Sequence, residues 1–341
     1  MDLSVDVTFR MHVAHLQLRF HVGIGVYWSW FGFLVMQALV FMELQLPDDI
    51  ENADRVKPEE WPPILNALCL DTNLCFISIK SESTADTFYP DIDTEAKFRK
   101  FKRQNSGIRT DYILKSLIKS LGCCIKNSRV ISCLELDGLL LPIQYLELLL
   151  QHVKYNRTIK VLSLKQCPIN DHGCRTICTN LRLMPNIEVI NLSSCNLSTL
   201  SGLYVGKIIN QQQLSRNSGS WNTVVSLETP QKILNGLRRI SLDNNPKIRD
   251  DGLGYILNAL DDDTSIKALD MRNCGITERM SNRLLKLIEK KSVLEVFDFR
   301  DNIDLSTTTT DRIYEMLQNK DTCGEKPEFE WDVITIAIDP N

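Results

Sequence analysis

Six segments of the chain repeat one spacing of apolar residues: Ile131-x-x-Leu134-x-Leu136, Ile159-x-x-Leu162-x-Leu164, Ile187-x-x-Ile190-x-Leu192, Leu237-x-x-Ile240-x-Leu242, Ile266-x-x-Leu269-x-Met271 and Leu294-x-x-Phe297-x-Phe299. Between their middle apolar residues, successive copies stand 28, 28, 50, 29 and 28 residues apart. Leu74-x-x-Ile77-x-Ile79 adds a seventh copy, 57 residues before Leu134. A unit this short cannot bury its own apolar edge, so its neighbours must cover it. The chain is thereby restricted to an array of stacked units.

The period and the pattern L-x-x-L-x-L-x-x-N/C-x-L are those of leucine-rich repeats. The small polar position falls on Cys167, Cys195, Cys274 and Asn302, with Asn245 in the copy that contains an inserted proline. The chain turns inward there, and a small polar side chain can satisfy buried backbone groups beneath the turn. Between the strands lie amphipathic stretches such as "NDHGCRTICTNLRLM" and "RDDGLGYILNAL", whose apolar residues Leu253, Ile256, Leu257 and Leu260 follow helical spacing. Asp250 or Asp251 is expected to cap the second helix, and Thr277 the one after it. The expected fold is α/β: a ribonuclease-inhibitor-like horseshoe with parallel strands on the concave face and helices on the convex face.

Two segments interrupt the period, near 81–110 and 210–232; both read as polar and loop-like. Within the first, "KFRKFKRQ" admits a basic contact surface, but a solvated linker beside the acidic "DIDTE" is the preferred reading. The expected organisation is a hydrophobic N-terminal segment over 1–45, a repeat domain over 46–331 and a tail over 332–341. Val22 to Met42 gives 21 residues without a charge, the length of a membrane span. Arg10 and Arg19 precede it and Glu43, Asp48 and Asp49 follow, the polarity of a span with a cytosolic N-terminus. A buried capping helix or an atypical translated segment is preferred. The alternative is a membrane-anchored leucine-rich-repeat receptor or adaptor, with membrane contact through Val22–Met42. The sequons at Asn156, Asn191 and Asn196 favour that alternative. Eleven scattered cysteines, an odd number with no CxxC pair, oppose it and suit reduced thiols in the cytosol.

The net charge of −4 lacks the basic excess that nucleic acid requires. Neither GxSxG, a P-loop nor HExxH occurs, and His172 beside Cys174 and Cys178 has the spacing of a packed helix. No catalytic residue, metal or cofactor is expected. The repeat supplies a surface instead. Alternation along each strand sends Glu135, Ser163, Asn191, Ser241, Asp270 and Asp298 to the concave face, with Asp137, Lys165, Ser193, Asp243, Arg272 and Arg300 beside them. Such a mixed-charge groove suits a protein segment, with cross-strand charge pairing as the competing reading. Arg272 and Arg300 are expected to be exposed, so that reversing their charge weakens partner capture.

From about Leu46 to Trp331 the chain resembles the seventy-eight-kilodalton centrosomal protein family. The residues that carry the resemblance are "NADRVKPEEWPPILNAL", "FISIKS", "LELDGLLL", "VLSLKQCPINDHGCRTIC", "INLSSCNLS", "GLRRISLDNNPKIRDDGLGYILNAL", "ALDMRNCGIT" and "FDFRDNIDL", in order and with both irregular insertions. The resemblance implies a scaffold at the centrosome, centriole and cilium basal body that supports centriole maturation and cilium assembly. It also implies centrosomal scaffold proteins as partners, and ubiquitin-ligase components where a C-terminal coiled-coil region is not required.

Overall fold

The computed structural model describes residues 53–56, 60–82, 87–101, 107–217, 236–291, 293–319 and 327–331, together with four short strands nearer the N-terminus. They fall into two compact units, one ending at Leu139 and one spanning Leu140–Ile338.

In the first unit, β1 (Ser4–Val5) pairs antiparallel with β4 (Val22–Gly23). Strands β2 (Met11–Val13) and β3 (Leu16–Leu18) form a second antiparallel pair, and β2 runs antiparallel to β5 (Phe76–Lys80). Past Gly23 the apolar run to Met42 lies outside the described residues, among which no helix is long and apolar enough to cross a membrane. Helix α1 (Trp61–Leu70) opens on Pro62 and Pro63, tolerated because first-turn N–H groups have no helical acceptor. Helix α2 (Glu95–Lys100) takes in the first four residues of "KFRKFKRQ"; there Phe98 is buried, and Asp93–Lys97 and Glu95–Arg99 form ion pairs one turn apart. The described part of that segment is thus a charged helix face, while 102–106 lie outside the described residues. Helix α3 (Asp111–Asn127) is capped by Thr110 and buries Ile113, Leu114, Leu117, Ile118 and Leu121 at helical spacing. Strand β5 pairs parallel and in register with β6 (Cys133–Asp137), so Ile77 and Ile79 form a strand like those of the other copies.

The second unit alternates helices and strands: α4 (Ile143–Tyr155), β7 (Val161–Ser163), α5 (Asn170–Leu181), β8 (Val189–Asn191), α6 (Thr199–Asn217), β9 (Arg239–Ser241), α7 (Arg249–Leu260), β10 (Ala268–Asp270), α8 (Ser281–Lys290), β11 (Val296–Asp298) and α9 (Thr307–Gln318). Strands β7 to β11 are parallel, each in register with the next. Their inward side chains, Leu162, Ile190, Ile240, Leu269 and Phe297, are all buried. The 50-residue interval leaves the ladder intact, because Val189–Asn191 pairs directly with Arg239–Ser241.

The second irregular segment begins later than its polarity suggests. Helix α6 runs to Asn217, so Asn210–Asn217 is helical, and the rest of that segment lies outside the described residues. The polar side chain of Gln212 is buried without penalty: its Oε1 accepts from Leu237 N at 2.9 Å and its Nε2 donates to the Leu181 carbonyl at 3.2 Å. Helices α6 and α7 approach closely through glycine; a Cβ on Gly206 would lie 2.6 Å from the Tyr255 carbonyl oxygen. Asp250 does not cap α7. Its carboxylate instead accepts from Thr277 N and Oγ1 at 2.8 and 2.6 Å, tying one repeat to the next. Thr277 caps the following 3-10 turn by accepting from Arg279 N at 3.4 Å.

In six of the seven copies the residue four places after the middle apolar residue is left-handed: Gly138, Gln166, Ser194, Asn244, Asn273 and Asp301. This bends the chain sharply off the strand, a conformation unfavourable to most side chains and tolerated best by Gly, Asn and Asp. Beneath the turn lies the small polar position. Asn245 Oδ1 accepts from Cys195 N and Leu197 N, both at 3.0 Å, and its Nδ2 donates to the Leu192 and Leu242 carbonyls at 3.0 and 2.7 Å. Asn302 repeats this with Cys274 N, Ile276 N and the Met271 and Phe299 carbonyls. Where cysteine takes the position, its Sγ–H donates: Cys195 to the Leu164 carbonyl at 3.0 Å and Cys274 to that of Leu242 at 3.1 Å.

Candidate functional site

The strands β9 to β11 turn a dense ionic array to the face of the sheet away from the helices. Arg239, fully buried, stands one residue before the inward Ile240. Its Nε and Nη2 donate to Asp270 Oδ2 and Oδ1, both at 2.9 Å. This fork-on-carboxylate geometry suits guanidinium and aligns Asp270, which also accepts from Ser241 Oγ. Asp243 accepts from Arg272 N at 2.8 Å and from Arg272 Nε and Nη2 at 3.3 Å. Asp298 accepts from Arg300 Nε and Nη2 at 3.0 and 2.6 Å and stands 3.8 Å from Arg272 Nε. Burial pushes the Asp243 carboxyl up to about 6; the Arg272 N–H bond opposes that shift, and the charge of Asp270 adds to it.

One chain segment lies on this array. Glu328 forms ion pairs with Arg238 and, at 3.1 Å, with Lys267, which also pairs with Glu295 at 2.7 Å. Burial disfavours the Lys267 charge, but the two glutamates more than offset this and raise its pKa. Phe329 N donates to Glu295 Oε2 at 2.9 Å, and the Phe329 ring, almost wholly buried, lies 5.8 Å from the Arg239 guanidinium. Arg239 Nη1 donates to the Glu330 carbonyl at 3.0 Å. Trp331 packs edge-on against Tyr314 of α9 at 5.1 Å and faces the Arg300 guanidinium at 5.5 Å.

The twelve expected contact residues fare unequally. Ser163, Asn191, Ser193, Ser241, Asp243, Asp270 and Asp298 are buried, so they do not present themselves to a partner. Glu135, Asp137, Lys165, Arg272 and Arg300 are half-buried. Arg272 and Arg300 therefore depart from the expected exposure, because each lies back along the sheet onto an aspartate. Glu135, in the first unit, accepts from Ser78 Oγ at 2.9 Å and lies 4.0 Å from Lys80. The backbone N–H of Lys165 approaches Ser163 Oγ at 3.5 Å, and that of Ser193 donates to Asn191 Oδ1 at 3.0 Å. Alternation identified the face, but the buried arginine at its centre, Arg239, was missed. The apolar residues at its position in the other copies, Val161, Val189, Ala268 and Val296, concealed it. An arginine breaking an otherwise apolar column was the available signal.

Three buried cysteines, Cys124, Cys178 and Cys274, are poor nucleophiles. Burial pushes the Cys124 and Cys274 thiols up to about 12, and the bond to Cys174 together with burial raises that of Cys178, so thiolate is scarce. His172 lies in the first turn of α5. Among the described residues, no group of three or more His, Cys, Asp and Glu is arranged to hold a metal ion.

Comparison with known proteins matches the Leucine Rich repeat family model to residues 155–178. The chain is 32% identical to Centrosomal protein of 78 kDa from Homo sapiens over 285 residues, covering 82% of the chain and 40% of that protein. It is 30% identical to the Mus musculus protein of the same name, over 85% of the chain and 37% of the relative. It is 28% identical to Protein Cep78 homolog of Drosophila melanogaster, over 81% of the chain and 34% of the relative. The chain thus spans about two fifths or less of the length of these curated relatives. Among solved structures, the tropomodulin C-terminal domain of Caenorhabditis elegans matches with a TM-score of 0.36 at 11% identity, over 60% of the chain and 92% of that domain.

Proposed function

The chain carries a leucine-rich-repeat region of the centrosomal protein of 78 kDa family, and from that premise we propose that it is a non-catalytic interaction module at the centrosome and ciliary base. In this reading it supports centriole maturation and cilium assembly by holding centrosomal scaffold proteins, with ubiquitin-ligase components as further candidates. The observation that carries the proposal is the extent of the similarity: more than four fifths of the chain aligns with relatives from human, mouse and fly whose names are those of centrosomal proteins.

The fold supports an interaction role because its polar investment is structural. Asparagines and cysteines close turns, and the arginines and aspartates of β9 to β11 neutralise one another. What remains available is surface, which repeat arrays present along one face. Among the expected contact residues, Lys165, Arg272 and Arg300 in the second unit and Glu135 and Asp137 in the first are the ones a partner can reach.

The test is localisation. The chain with a C-terminal fluorescent tag, and a version starting at Leu46, are expressed in ciliated cells with a centriole marker. Both are expected to mark centrioles. Diffuse signal from both, at matched expression, would refute the centrosomal role.

A further inference from the structure

The geometry points to the face of β9 to β11 as a docking groove for an extended peptide with alternating acidic and aromatic residues, which the chain's own Glu328-Phe329-Glu330-Trp331 fills in cis. This deepens the interaction reading above and rests on it.

The chemistry of the occupant is visible in its contacts. Glu328 reaches two cations on adjacent repeats, Arg238 and Lys267. Phe329 stacks near a guanidinium held rigid by Asp270, and Arg239 still has an N–H left to bind a backbone carbonyl. That carbonyl bond reads any residue, as does the bond from Phe329 N to Glu295. Specificity therefore lies in the acidic residue that meets Arg238 and Lys267 and in the two aromatics. Ala268 is the smallest member of its column, in register between Arg239 and Val296.

The contact is suited to exchange. The Glu328 pairs are partly exposed, with side chains 19 to 28% accessible, so water can compete for both partners. Nine residues of sequence separate the end of α9 at Gln318 from Glu328. A short tether gives an effective concentration on the order of 1 mM. If the peptide alone binds with a dissociation constant of about 0.1 mM, the tethered copy weakens a partner in trans roughly tenfold, and more for a tighter motif.

The probe is a fluorescein-labelled peptide of sequence Lys326–Val333, titrated with the full chain and followed by anisotropy. Phe329→Ala with Trp331→Ala should empty the groove and strengthen peptide binding about tenfold or more over wild type. Adding Lys267→Glu should abolish that gain, and a scrambled peptide should not bind. Glu328→Lys, which leaves both aromatics in place, is the second variant should the double alanine fail to fold by circular dichroism; it too should raise peptide affinity. Folded variants that bind no better than wild type would overturn the proposal and make the segment a permanent cap. If centriolar localisation persists in that case, the scaffold reading stands while the groove falls; loss of localisation alone leaves the peptide result to decide the groove.

Discussion

Replacing Asn245 by alanine removes a side chain that is wholly buried and serves two repeats at once. The N–H groups of Cys195 and Leu197 lose their acceptor, and the carbonyls of Leu192 and Leu242 lose a donor. A buried group left unpaired costs about 1–3 kcal/mol. Taking about 1 kcal/mol for each of the four groups gives a loss of ~4 kcal/mol, a large share of the ~5–15 kcal/mol that holds a typical domain together. Cysteine should be intermediate, at ~2 kcal/mol, since Sγ–H can still donate, as Cys195 and Cys274 do in the same position. Urea unfolding of the full chain, followed by far-ultraviolet circular dichroism, measures both variants. The reasoning is refuted if Asn245→Ala lies within about 1 kcal/mol of wild type, or if cysteine is as damaging as alanine.

Two further outcomes are expected. Gly206→Ala places a Cβ 2.6 Å from the Tyr255 carbonyl oxygen and should cost ~1–3 kcal/mol by forcing α6 away from α7, read as a lowered urea midpoint; an unchanged midpoint would contradict the close packing. Asp243 has its folded pKa raised to about 6 from an ordinary value near 4, so the folded state holds a proton that the unfolded chain has released. Its contribution therefore declines as pH rises from about 4 to 6, by at most ~3 kcal/mol, and Asp243→Asn should flatten the stability curve in that window. Parallel curves for the two proteins across pH 4–7 would dismiss this.

The strands and their register were legible in the sequence because the inward residues obey one spacing, and Ile77, Leu162, Ile190, Ile240, Leu269 and Phe297 are all buried. The role of the small polar column was legible for the same reason: Asn245 and Asn302 sit at a repeated offset, and a repeated offset means a repeated local geometry. What failed depended on contacts between elements. Asp250 sits where a cap belongs, yet its carboxylate reaches forward to Thr277, a choice set by the neighbouring repeat. Asn210–Asn217 reads as a loop from its glutamines, but Gln212 satisfies backbone groups that the helix meets only after packing. Alternation assigned twelve residues to one face without revealing what covers them. Glu328–Trp331, a short stretch with no periodicity, left no trace of where it would lie.

The asparagine bridges give the array a direction. Asn245 completes hydrogen bonding for the copy before it, and Asn302 does the same for the copy containing Cys274, so each unit is finished by its successor. A load applied from the C-terminal side would meet these closures in reverse order, and each unit that peels away would uncover amide groups in the one behind it. Removing a repeat from the C-terminal side therefore leaves unpaired amide groups in the repeat before it, whose turn its successor had closed.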